Sequence, residues 1–237
     1  MNRSLLIALA ATVVIGGGAF YYFTQQSSDA SLVSGAAERS TPVANAPAPS
    51  AAGDTVNLEE LLKSGAVPDN ALGDPNAPVT VVEYASLTCS HCRVFHDETL
   101  PEVKKRLIDT GKVRLIYRDF PLDQYATAGA MLARCAGDGK YFPVVDAFFA
   151  KQNELLGAQD PFVWLQGFAK QLGFTQESLE ACLSNQGLMD NVLAERQRAS
   201  EKFGVSSTPT FFFNGRVKRG ALSIEEFEKE IASLPVK

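Results

Sequence analysis

Residues 85–98 read ASLTCSHCRVFHDE and hold two of the four cysteines and both histidines of a 237-residue chain. The run begins where an apolar, β-branched stretch ends, PVTVVEYAS at 78–86, which reads as a buried strand. A helix is expected from about Cys89, interrupted at Pro101. Beyond it, GKVRLIYRDF at 111–120 alternates Val113, Leu115 and Tyr117 against Arg114, Ile116 and Arg118, the pattern of a second strand entered through a glycine turn. Strand, helix, strand predicts a right-handed parallel unit, with Cys89 and Cys92 at its first strand-to-helix junction.

Further along, residues from about 123 to 203 are helical in character. Tyr141, Val144, Val145 and Phe148 recur at helical spacing, and Thr175 is placed as an N-cap before Leu179, Cys182 and Leu183. Strands return in TPTFFFNGRVKRG at 208–220, where Asn214-Gly215 predicts a hairpin turn. A last helix follows, opened by a Ser223/Glu226 capping box, with Ile224, Phe227, Ile231 and Leu234 on one face. The two ends thus make a small mixed sheet flanked by helices, with a helical block inserted between them.

The first 55 residues are of another kind. Leu5 to Phe23 carry no charge, and 19 residues of helix span roughly 28 Å, close to the ~30 Å of a hydrocarbon core. Tyr21, Tyr22 and Phe23 suit an interfacial belt. A cleaved signal peptide is the competing reading, but the run exceeds the usual apolar core of such peptides and Ser28-Asp29-Ala30 is an indifferent cleavage site, so we expect an uncleaved anchor over residues 5–23. Either reading exports the rest of the chain. Residues 24–55 are rich in Ala, Ser and Pro and read as a flexible linker, leaving 56–237 as the folded domain. Hydrophobic residues are 46% of the chain, enough for a sizeable core, and its net charge of −5 gives no support to a nucleic-acid partner.

A cysteine at the start of a helix meets unpaired N–H groups and the positive end of the dipole, which favour its thiolate. Cys89 is therefore expected to be the nucleophile, and Cys92, one turn along and facing inward, its resolving partner. His91 lies between them and is expected to favour the Cys89 thiolate further. Glu83, inside the apolar strand, is read either as a solvent-facing residue at the strand's end or as a buried acid beneath Cys92 that exchanges its proton. Pro209, at the first position of a strand, is a candidate cis-proline that leaves the backbone of Thr208 free to pair with an extended peptide.

VVEYASLTCSHC, YRDFPL, ARCAGDGKYF and GVSSTPTFFFNG together resemble the DsbA-type thiol-disulfide oxidoreductases of the thioredoxin superfamily, over about residues 68–237. The resemblance implies a thioredoxin fold with an inserted helical domain and a Cys89–Cys92 redox couple as the only cofactor. It implies mixed-disulfide formation at Cys89, resolution by Cys92, tuning by His91, Glu83 as the upstream acid and Pro209 as the cis-proline. It also implies a periplasmic setting, reduced, unfolded or partly folded exported proteins as partners, and a membrane quinone-linked reoxidant. Two residues depart from the best-known oxidants: Ser90 precedes His91 where they have proline, and Thr208 precedes Pro209 where they have valine. Threonine there is often found in related isomerases and reductases, which keeps a reductase or isomerase as the alternative direction of the same chemistry.

Cys135 and Cys182 lie on apolar faces of the helical block. In an exported protein such a pair is expected to be bridged, a closure worth roughly 4 kcal/mol in the chain-entropy model, with two unpaired buried thiols as the alternative. A different class of function is a metal-binding or copper-delivery module using Cys89, Cys92 and His96, since Cys92 and His96 are one helical turn apart. That reading leaves Pro209 and the insertion without a role, and His96, beside Asp97 and Glu98, is read more simply as an incidental polar residue.

Overall fold

A computed structural model describes residues 55–235 of the protein. The anchor expected at 5–23 and all but Thr55 of the linker expected at 24–55 lie outside these residues. Among the described residues no helix is long and apolar enough to cross a membrane.

Five strands form one sheet in the order β1-β3-β2-β4-β5: β1 Asn70–Leu72, β2 Val79–Ala85, β3 Val113–Asp119, β4 Thr210–Phe213 and β5 Arg216–Arg219. The central pair β2 and β3 is parallel, with Glu83 opposite Tyr117, and every other pairing is antiparallel. The hairpin between β4 and β5 turns at Asn214 and Gly215, both at positive φ, as a tight two-residue connection requires. β1, and the short helix α1 Leu58–Leu62 before it, carry too little periodicity to be seen in the sequence.

Side-chain alternation sets two of the cores. Phe211 and Phe213 of β4 pack with Val81, Phe95, Val103 and Phe227 on one face of the sheet. Phe212 packs on the other with Tyr84, Ile116, Ala199 and Phe203. The polar half expected of β3 is overridden: Ile116 and Arg118 are both 2% exposed, because helices cover both faces of this central strand. Arg118 is satisfied there by a two-pronged bond to Asp69 at 2.7 and 2.9 Å, by the Leu61 carbonyl and by the Tyr84 hydroxyl.

The helix after Cys89 is not broken at Pro101. It runs through α2 Ser90–Val94, a π-helical turn Phe95–Thr99, α3 Leu100–Val103 and a second π turn Lys104–Ile108. The widened turns flank the proline, whose missing N–H is absorbed in the first turn of α3. Between β3 and β4 stand six helices: α4 Gln124–Cys135, α5 Tyr141–Ala150, α6 Gln152–Leu156, α7 Pro161–Gln171, α8 Gln176–Leu183 and α9 Gln186–Phe203. The last helix, α10 Ile224–Ala232, packs Phe227 against the sheet. This is a thioredoxin fold with a helical insertion. The insertion's core is continuous with the active-site loop, for Leu87, Cys89 and Cys92 share it with Met131, Phe148 and Phe149.

Candidate active site

Chain leaving β2 passes through Ser86, Leu87 and Thr88 and delivers Cys89 as the N-cap of α2, its backbone still extended and its neighbours' N–H groups unpaired within the helix. The loop is fastened from the insertion at two points. Gln152, 1% exposed on α6, donates to the carbonyls of Leu87 at 2.8 Å and Cys89 at 3.0 Å. Asp123, which caps α4, accepts from the Thr88 hydroxyl at 2.6 Å.

Across from the loop, the Thr208–Pro209 peptide bond is cis. The Cys89 thiol donates to the Thr208 carbonyl at 3.3 Å. Cys89 is 9% exposed and Cys92 is fully buried, and both are free thiols. The two sulfurs are driven apart in acidity. Cys89 is lowered to about 5, first by a hydrogen bond from the Cys92 thiol, then by the Thr208 side chain and the backbone N–H groups of Cys92 and His91. Cys92 is pushed well above the ordinary thiol range, mainly by burial, then by the Cys89 sulfur and the charge of Glu83. One sulfur is thus a thiolate nucleophile at neutral pH and the other a fully buried, protonated partner.

Several expectations need correction. His91 is exposed, and its backbone N–H is among the groups that lower the Cys89 thiol. Glu83 does not face solvent: it is fully buried, with its carboxylate 3.2 Å by both oxygens from His96 Nε2. His96 is therefore not incidental. Its side chain is 2% exposed, stacked on Phe149 and edge-on to Phe95 and Tyr117. Among the described residues no group of three or more His, Cys, Asp or Glu side chains is arranged to hold a metal ion. Gln152 gave no signal in the sequence, since nothing in AKQNELL separates a buried tether from a surface glutamine. Cys135 and Cys182, in the insertion, are joined by a disulfide with Cα atoms 6.0 Å apart.

A thioredoxin sheet, a cysteine pair opening the helix after β2 and a cis-proline facing it define a thiol-disulfide exchange scaffold, and the chain belongs to the thioredoxin superfamily in its DsbA-like branch. The model of the thioredoxin family matches residues 66–233. The crystal structure of Wolbachia pipientis α-DsbA1 superposes with a TM-score of 0.67 at 33% identity, covering 75% of this chain and 96% of that one. A protein-disulfide isomerase from Novosphingobium aromaticivorans superposes with a TM-score of 0.63 at 25% identity, covering 70% and 96%. A Rickettsia felis protein named as a protein-disulfide oxidoreductase is 31% identical over 170 residues, 69% of this chain and 59% of that protein. The chain spans about three-fifths of the length of the curated relatives it matches.

Proposed function

We propose that the protein is a thiol-disulfide exchange enzyme that passes a disulfide from Cys89–Cys92 to reduced, incompletely folded exported proteins in the periplasm. A client thiolate attacks the Cys89 sulfur, Cys92 leaves and takes up a proton, and a second client thiolate releases Cys89 as thiolate. Two electrons pass from the client's thiols to the cysteine pair. The backbone of Thr208 offers an edge to the client's extended chain. Residues 5–23 would hold the domain at the membrane, near a quinone-linked reoxidant that restores the disulfide.

The observation that carries this reading is the placement of Cys89 at the start of α2 beside Thr208 with Cys92 fully buried, which drives the acidity of the two sulfurs apart. At pH 7 a Cys89 that titrates near 5 lies two units on the ionised side, worth about 2.7 kcal/mol to the reduced form. Transferred to the couple, that is on the order of 60 mV toward stronger oxidation. It favours an oxidant over the reductase alternative, whose direction requires a stabilised disulfide.

Equilibration against glutathione tests the direction. The expected potential lies above that of the glutathione pool. A value at or below it refutes the oxidant assignment. A Cys92→Ala variant should accumulate exported proteins on Cys89 as mixed disulfides, and their absence would refute protein substrates.

A further inference from the structure

Cys92 has no exposure, and Cys89 beside it is the sulfur a client covers. Each turnover nevertheless moves a proton to or from Cys92, so that proton needs a route away from the client-binding face. Cys92 feels the charge of Glu83, whose carboxylate meets His96, and the second ring nitrogen of His96, Nδ1, is buried with no hydrogen-bond partner among the described residues. His96 also lines a cavity of about 240 Å³ with Leu100, Lys104, Phe142, Asp146 and Phe149, and none of Cys89, Cys92, Thr208 or Pro209 lines it. Asp146, on α5, is exposed at this cavity.

We infer that His96 and Asp146 form the proton exit of the redox couple, carrying the Cys92 proton by way of Glu83 to a cavity separate from the face that binds the client. This rests on the exchange chemistry proposed above. When Cys92 attacks a mixed disulfide on Cys89, its proton goes to the Glu83 carboxylate, from there to His96 Nε2, and the ring gives up its Nδ1 proton to water held by Asp146. A Cys89–Cys92 bond forms, the Cys89–client bond breaks, and the client leaves as thiolate. Oxidation of a client runs the same transfers backwards and returns the ring to its starting tautomer.

The surroundings suit the task. His96 meets Glu83 of β2 and Tyr117 of β3, and it shares its cavity with Asp146 of α5 and with Asp97 and Lys104 of its own helical stretch; Asp97 is paired with Arg93. Loss of water at the cavity raises the Asp146 carboxyl, while His96 and Lys104 oppose that rise. Phe95, Tyr117 and Phe149 fix the ring plane, as a positioning residue requires.

At saturating oxidised glutathione, disulfide formation in the reduced full-length protein reaches a first-order plateau set by attack of Cys92 on the Cys89–glutathione bond. His96→Ala should lower that plateau on the order of 100-fold, the low end of acid–base assistance, and added imidazole, which fits the cavity, should restore it. Asp146→Asn, at an exposed position, should lower the plateau and steepen its pH dependence while leaving the iodoacetamide reactivity of Cys89 unchanged. Plateaus and pH profiles equal to the parent in both variants would overturn the exit, as would a His96→Ala defect that imidazole does not repair. A parent protein that forms no disulfide with glutathione would instead overturn the exchange reading, and the exit with it.

Discussion

Cys89 and Cys92 are three residues apart on one helix, and their chemistry diverges because their surroundings do. Cys89 sits where the backbone supplies N–H groups, and Cys92 where protein has replaced water. Thr208 is the side chain on the opposing loop that adds to this difference, since its buried hydroxyl has the Cys89 sulfur as the group it can serve. Thr208→Val removes that donor. A hydrogen bond to a charged group is worth about 1.5–3 kcal/mol, so the Cys89 titration should rise by about one to two pH units, read from the pH profile of alkylation. No rise would show that the hydroxyl does not serve the thiolate. Cys89, Cys92 and Pro209 were legible as a pattern of residue types with known chemistry. The pairing of Glu83 with His96 was not, because 13 residues and a change from strand to π turn separate them, and no local periodicity spans that.

At the scale of elements, the active-site helix was legible in its start and misread in its course. Proline predicts an interruption where a free N–H is needed, but two π turns let the helix continue past Pro101, with His96 inside the first of them. The helical block was legible as helices and not as a clamp on the loop. Gln152 is the centre of that clamp, and its two bonds are made to backbone carbonyls, which carry no side-chain signature. Gln152→Ala leaves the Leu87 carbonyl without its donor. The expected cost is about 1–3 kcal/mol, measured by denaturant unfolding of the reduced protein. A change well under that would mean that water replaces the glutamine and that the insertion does not hold the loop.

Across the whole domain, helices cover both faces of the sheet, and a third core lies in the insertion and reaches the redox pair. Buried charge also ties distant parts together. Arg118 of β3 joins Asp69 and the Tyr84 hydroxyl, and Tyr84 in turn donates to Glu195 of α9 at 3.0 Å. Arg118 falls on the polar side of the alternation in β3, where an arginine ordinarily points outward, and its ion-pair partner Glu195 lies 77 residues away. The Cys135–Cys182 bridge acts at this scale as well, linking α4 to α8 across a separation of 47 residues. Replacing both cysteines by serine should destabilise the protein by about 4 kcal/mol, the loop-closure value, while exchange with glutathione persists because neither sulfur enters the active site. Loss of exchange in a variant that remains folded would assign the bridge a part in the chemistry.

All of these effects converge on one ionisation. The most direct test is a titration of the Cys89 thiolate in the reduced protein, followed by its ultraviolet absorbance and, in parallel, by the pH dependence of iodoacetamide alkylation. A thiol held down by hydrogen bonds to its charged form should titrate near pH 5, with alkylation reaching its plateau well below neutrality. A midpoint at or above ~8, where an unperturbed cysteine titrates, would contradict the account, because an un-ionised Cys89 would neither attack nor leave at neutral pH.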